Sequence, residues 1–364
     1  AIPPAAATAP LELGEADDEL EGDDDELDAD APDRDDAELA RMTLPARPEW
    51  MDKYAGSSPD ERFLDIAALM QAHGLDRARA VELQNHFRDL TRQDPDGDRG
   101  AQYSLALRRA KAGEFEDGRD PARLAAAPFI VVFDLDETLY DQGIADPAVA
   151  KACHDLEVPV EGKDPRLVRL TPGWADAIHR IDALGGEVVL FSANRDDVTW
   201  ENLRAWTLDG VPIHQHPAVA AVMTNSHLVL QPKQAGQPVG EPSKDLRIVD
   251  AELSRAIIVD DNPLRLFQFR NVRVFKKFQA DVACVTKDAA AARAYEGALK
   301  EVVDEIEESV RYMKSHPGVG FAQAYLPYTT LGRLAVDWLR AAGRSEKQAI
   351  SHVRVHPELV DEKF

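Results

Sequence analysis

Four short segments of this chain carry residues of the kinds that move phosphoryl groups. In Phe133-Asp134-Leu135-Asp136-Glu137-Thr138 two carboxylates stand two residues apart, so both leave one strand tip on the same side. There they can hold a hard cation by oxygen and keep one oxygen free to attack. Ser192 follows the apolar run 188–191 and offers a hydroxyl to a phosphoryl oxygen. Lys244, in Ser243-Lys244-Asp245-Leu246, is a compact positive charge, and Asp260-Asp261-Asn262-Pro263 comes straight after the apolar run 256–259. Carboxylates, a cation, a hydroxyl and a divalent metal together suit phosphoryl transfer. Gathered without a metal, so many carboxylates would repel one another. Each segment alone is an ordinary turn. Their order, and the apolar run before them, is what sets them apart.

Those segments need a scaffold that brings strand ends together. From about residue 127 the runs 129–133, 188–191, 256–259 and 272–275 alternate with helical stretches. Trp174, Ile178 and Ile181 share one helical face before Gly185-Gly186. The alternation predicts an α/β fold, a doubly wound and mostly parallel sheet covered on both faces, with ligands at the carboxyl ends of the strands. The runs 218–224 and 228–231, separated by Asn225-Ser226-His227, read as an antiparallel hairpin inserted in that scheme.

Helical signals flank the sheet. Ser58-Pro59-Asp60-Glu61 has the form of a helix start, with Phe63, Ile66, Ala67 and Met70 at helical spacing and Gly74 as a stop. Asp76 is placed to cap a second helix carrying Leu83, Phe87 and Leu90, which Asp94-Pro95-Asp96-Gly97 breaks. No chemistry is visible there. Near the other end, Tyr295, Leu299, Val302, Ile306, Val310 and Met313 form one apolar stripe, and Leu331, Leu334, Ala335 and Trp338 another. The 295–313 stripe can pack on its own domain or serve as a seam for an oligomer. The expected organisation is an acidic tail over 1–56, a helical accessory region over 57–120, the α/β domain over 121–285 and a helical region over 286–364.

Composition narrows the classes. The chain has 364 residues and a net charge of −24, and residues 1–40 alone hold sixteen Asp/Glu against one Arg. That tail buries too little to fold and reads as disordered, either a solubilising segment or an acidic lure for a basic partner. The body is mildly acidic, so nucleic acid is not favoured as a partner. No run is long and apolar enough to span a membrane, and AIPPAAATAP lacks the basic and apolar regions of a signal peptide. Two cysteines, Cys153 and Cys284, make no disulfide framework, so a cytoplasmic setting is expected and Cys153 reads as an incidental thiol. His214 and His216 would share one side of an extended segment, a metal pair only if a third ligand joined them; Pro212 and Pro217 argue for a loop.

The order DLDET, LFSAN, SKDL, IIVDDNP resembles the haloacid dehalogenase superfamily. Within it the likeness is to phosphatases of the RNA-polymerase C-terminal-domain and NLI-interacting-factor type. KDLRIVDAELSRAIIVDD is similar to that branch's KDL…R…L…VIIVDDSP segment, and Pro263, Phe267, Asn271 and Phe278 continue it. The likeness covers about 127–280. It implies that Asp134 is the nucleophile and forms an aspartyl-phosphate, while Asp136 protonates the leaving group and then activates water. It also implies that Thr138 braces the loop, that Ser192, with Ala193 beside it, binds the phosphoryl group, and that Lys244 neutralises it. Magnesium (Mg2+) would be ligated by Asp134, the Asp136 carbonyl and Asp261, with Asp260 on Lys244 or a metal-bound water. Two departures stand out: SAN where that branch has TAS, and Thr171 before Pro172 where it has arginine.

The expectation is a magnesium-dependent phosphatase acting on phosphoserine or phosphothreonine of a protein. A phosphatase of nucleic-acid ends or of a small metabolite is the alternative among enzymes. A non-catalytic binding module is the alternative outside them, and the presence of Asp134, Asp136 and Lys244 speaks against it. Between Thr138 and Pro172 there are 33 residues, enough for a flap; between Ser192 and Lys244 there are 51. Neither gap is expected to hold a large lid.

Overall fold

The computed structural model describes residues 63–115, 119–230, 242–285, 293 and 295–360. The expected acidic tail and the Ser58-Pro59-Asp60-Glu61 pattern lie outside them. Helix α1 (Ile66–His73) is capped instead by Asp65, whose side chain accepts the Ala68 amide; Gly74 closes it in the left-handed region, φ 62°. Asp76 caps α2 (Arg77–Gln93) through Arg79, and Asp98 caps α3 (Arg99–Ala112) through Ala101. A short α4 (Pro121–Ala126) leads into β1 (Ile130–Phe133).

A flap follows, made of β2 (Tyr140–Asp141), α5 (Pro147–Cys153), β3 (Leu156–Val158) and β4 (Arg166–Leu170), with strand order β2-β4-β3. Then come α6 (Trp174–Ala183), β5 (Glu187–Phe191), α7 (Asp196–Ala205), a small hairpin of β6 (Thr207–Leu208) and β7 (Val211–Pro212), and β8 (Val219–Met223). The next elements are β9 (Val229–Leu230), β10 (Pro242–Ser243), β11 (Ala256–Asp260), β12 (Val272–Val274) and α8 (Ala280–Val285). Helices α9 (Ala298–Ser315), α10 (Phe321–Tyr325), α11 (Thr330–Ala341) and α12 (Glu346–Val355) complete the described chain.

The main sheet has the order β12-β11-β1-β5-β8, and every pairing in it is parallel. All four expected strands are in it. The expected hairpin is not. Residues 219–223 form the outer strand β8, parallel to β5, while Val229–Leu230 pairs antiparallel with β10. The reason is visible in burial: all five residues of β8 are buried, as in a strand covered on both faces.

Side chains of β1 alternate between two cores. Ile130 and Val132 pack with Phe63, Leu83, Phe87 and Tyr103 from the amino-terminal helices. Val131 and Phe133 pack with Ile178, Ile181, Leu299, Val302 and Phe321 from α6 and the carboxyl-terminal helices. The sheet is thus doubly wound, with helical extensions filling both faces. Gly186 is required at the start of β5, where a Cβ would come within 2.2 Å of the Phe129 ring.

Three expectations need correcting here. The 295–313 stripe is buried within the chain, with Leu299, Val302 and Ile306 fully inaccessible, so that face has nothing left to offer an oligomer. Helix α11 buries Gly332, Val336 and Leu339, and turns Leu334 and Trp338 outward. Cys153 and Cys284 are not free thiols: a disulfide joins α5 of the flap to α8 across 131 residues. Among the described residues no helix is long and apolar enough to cross a membrane.

Candidate active site

The register of the sheet gathers the chemistry. Phe133 pairs with Val259 on one side and with Leu190 on the other, so Asp134, Asp260 and Ser192 leave the sheet at one edge. Strand β1 lies where the strand order reverses direction, the crevice position of open parallel sheets. After Leu135 the chain makes a single tight turn, Leu139 N–H to Leu135 O, and Glu137 takes a left-handed φ of 60°.

Asp134 is 6% exposed, and its Oδ1 accepts a hydrogen bond from Lys244 Nζ at 2.5 Å. The same ammonium donates to Asp260 Oδ2 at 2.7 Å and lies 5.7 Å from the centre of the Phe191 ring. Lys244 is held from its backbone, which exchanges hydrogen bonds with Arg265 and Phe267. Asp260 Oδ1 accepts the Asn262 amide at 2.8 Å, which sets the turn that presents Asp261. Asp260 therefore holds the lysine.

Thr138 is fully buried beside Asp134. Its Oγ1 lies 3.5 Å from Asp134 Oδ2 and accepts the Asp261 amide at 3.2 Å, and its carbonyl accepts Thr171 Oγ1 at 2.7 Å. That last bond gives the unusual Thr171 a job: it ties the flap's exit to the first loop. Asp136 stands apart from the other aspartates. Its Oδ2 accepts from Ser192 Oγ at 2.8 Å and its Oδ1 from Asn194 Nδ2 at 2.9 Å. Ala193 is fixed through its carbonyl, which accepts Asn225 Nδ2 at 2.8 Å.

Asp134, Asp260 and Asp261 each offer one oxygen, all within 4.8 Å of one another. Burial pushes Asp134 well above the usual carboxylate range; Lys244 opposes the shift, and Asp260 and Asp136 add to it. Burial, then Asp260 and Glu137, push Asp261 up to about 6. Burial alone would pull the Lys244 ammonium down, but Asp134 and Asp260 raise it, so it stays charged. One ammonium among three gathered carboxylates leaves negative charge in a poorly solvated place. A hard cation with oxygen ligands fits that donor set.

Sequence reasoning found the aspartates, Ser192 and Lys244; it missed what holds them. Arg77 and Arg247 bind the fully buried Asp245, next to Lys244, at 2.9 and 2.8 Å. Gln84 donates to the Ser226 and Leu228 carbonyls, Arg88 pairs with Asp196 at 3.1 Å, and Arg119 pairs with the buried Glu82 while donating to Ile248 O. Helix α2 therefore braces the loops that carry Ser192 and Lys244. Ten residues of α2 are buried, five of them polar or charged within residues 82–88, a burial that the residue types alone do not announce. His214 and His216 do not pair: His214 meets the Trp200 ring, and His216 faces Asp209 and the Ala218 amide.

Residues 129–292 match the family model described as NLI interacting factor-like phosphatase. No curated protein matches the chain. Among solved structures, Fcp1, described as an essential RNA polymerase II CTD phosphatase, aligns at 11% identity with a TM-score of 0.32, over 65% of this chain and 66% of that one. A variant of the fission yeast RNA polymerase II CTD phosphatase Fcp1, bound to beryllium fluoride, aligns at 10% identity and 0.30, over 66% and 70%. The chain thus spans about two thirds of these neighbours, and at such scores the likeness carries no argument about its chemistry. The family match stands on its own, and it encloses every candidate catalytic and metal-ligating residue. Over residues 129–292 the chain is thus similar to the NLI interacting factor-like phosphatases, which are of the haloacid dehalogenase type and hydrolyse phosphate monoesters.

Proposed function

We propose that this protein is a Mg2+-dependent phosphatase that works through an aspartyl-phosphate on Asp134 and acts on phosphoserine or phosphothreonine of a protein. The observation that carries the reading is a strand-end carboxylate, Asp134, held by Lys244 at 2.5 Å beside two further carboxylates. A carboxylate is nucleophilic at neutral pH without a base, and the Lys244 ammonium offsets its repulsion of the phosphate. Asp134 attacks phosphorus while Ser192 donates to a phosphoryl oxygen. Asp136 gives a proton to the leaving oxygen, and then takes one from the water that cleaves the aspartyl-phosphate. Burial lifts Asp136 above the usual carboxylate range, against the hydrogen bonds from Asn194 and Ser192, which suits a proton donor. Asp134, Asp261 and the Asp136 carbonyl would hold Mg2+, which supplies charge stabilisation to the transferring phosphoryl group.

A protein substrate is favoured by the rim. Asn262, Leu264 and Lys277 stand exposed beside the aspartates, and Lys277 pairs with Glu137 at the surface. A cytoplasmic setting goes with this reading. The disulfide pulls the other way, because a reducing cytosol keeps thiols apart. Counting free thiols after an acid quench of the source cells decides that point.

The test is turnover over phosphopeptides, phosphorylated oligonucleotides, nucleotides and sugar phosphates, with Asp134→Asn beside the wild type. Phosphopeptides should be hydrolysed fastest, and Asp134→Asn should lower activity by roughly 10³-fold or more with an unchanged circular dichroism spectrum. A clear preference for one small metabolite or for oligonucleotide ends would overturn the protein substrate. An active Asp134→Asn would overturn the mechanism.

A further inference from the structure

We propose that Asn194 is the positioning residue that aims Asp136 at the leaving group; the proposal rests on Asp136 being the proton donor. The carboxylate is held at both oxygens, Oδ1 by Asn194 Nδ2 at 2.9 Å and Oδ2 by Ser192 Oγ at 2.8 Å. The two donors are not equivalent. Ser192 has a single hydroxyl hydrogen, and its oxygen already accepts the Asn194 amide at 3.0 Å and faces Thr199 Oγ1 at 3.3 Å. When a phosphoryl oxygen takes that hydrogen, Asp136 Oδ2 loses its protein donor, while Oδ1 keeps Asn194.

Asn194 cannot turn its amide over without a loss. Its Oδ1 accepts the Arg195 backbone N–H at 2.8 Å, which fixes Nδ2 toward Asp136. The loop itself is anchored on either side, by Asn225 on the Ala193 carbonyl and by Asp196 on the Ser226 amide. Substrate binding then leaves Oδ2 as the oxygen that carries the proton, with the carboxyl plane still fixed through Oδ1. In the first step an Asp134 oxygen bonds to phosphorus, the phosphorus–leaving oxygen bond breaks, and the proton on Asp136 Oδ2 passes to that oxygen. A loose Asp136 would fail where the proton matters most, on leaving groups that are poor without it.

The experiment measures kcat/KM, which reports phosphoryl transfer to Asp134, for p-nitrophenyl phosphate, phenyl phosphate and a phosphoserine peptide. Wild type, Asn194→Ala and Asn194→Asp are compared. Asn194→Asp keeps an oxygen for the Arg195 amide and so preserves the loop, but cannot donate to Asp136. Both variants should lose roughly 10–100-fold on the phosphoserine peptide and less than about 3-fold on p-nitrophenyl phosphate, whose leaving group needs little help from an acid. Equal losses on all three substrates, or Asn194→Asp behaving as wild type, overturn the assignment. A wild type inactive on all three overturns the phosphatase reading itself, so the two failures are told apart.

Discussion

At the scale of single residues the site is an imbalance of charge held in a rigid frame. Asp134 and Asp260 are buried, Asp261 is half-buried, and Lys244 is the ammonium that bridges the first two. Binding a divalent cation relieves that excess, so metal removal should be decisive. Activity is expected to vanish in excess chelator and to return with Mg2+. Calcium should inhibit, because it takes six to eight oxygen ligands at longer range and disturbs in-line geometry. Steady-state rates in chelator, with each ion added back, check this, and full activity in excess chelator overturns it. The aspartates were legible in the sequence because Asp134 and the Asp260-Asp261 pair each come straight after an apolar run, which fixes their place at a strand end; Lys244 has no such run before it. Asn194 was noticed only as a departure from a pattern. Its contact with Asp136 crosses 58 residues and exists only once β1 and β5 are adjacent.

At the scale of elements, the flap and its tether show what local pattern does and does not carry. The 33 residues after Thr138 were read as enough for a flap and too few for a large lid, and they form three short strands and α5. The hairpin expected over 218–231 failed for a physical reason: a short apolar run reads alike as a hairpin arm and as a parallel strand covered on both faces. The disulfide was invisible, because two cysteines 131 residues apart meet only through the packing of α5 on α8. Closing so long a loop restricts the unfolded chain, and such a cross-link contributes about 2–4 kcal/mol. Cys153→Ser/Cys284→Ser should therefore unfold at lower denaturant than the oxidised wild type, and reduced wild type should fall to the same midpoint. Equal midpoints for the oxidised and reduced protein would show that the bond does not form in solution or adds no stability.

At the scale of the whole molecule, the segments that looked like appendages are the covers of the sheet. Amphipathic spacing in α2 and α9 told that each buries a face, but not that the two bury opposite faces of one sheet. Ile130 and Val132 look toward the amino-terminal helices, Val131 and Phe133 toward α6 and the carboxyl-terminal ones. Residues 121–285 alone would lose Phe63, Leu83, Phe87 and Tyr103 from one face, and Leu299, Val302, Ile306 and Phe321 from the other. Each such side chain contributes about 1.5–3 kcal/mol when buried, so the loss from either face, about 6–12 kcal/mol, is comparable with the whole stability of an ordinary domain. The loops would suffer too, since Arg77 and Gln84 leave with α2 and their partners Asp245, Ser226 and Leu228 remain. A 121–285 fragment should be insoluble, or soluble with strong binding of a hydrophobic dye and no phosphatase activity, whereas a 63–364 fragment should melt cooperatively and turn over substrate. A cooperative melt and wild-type turnover from 121–285 would show that the catalytic domain stands without its helical covers.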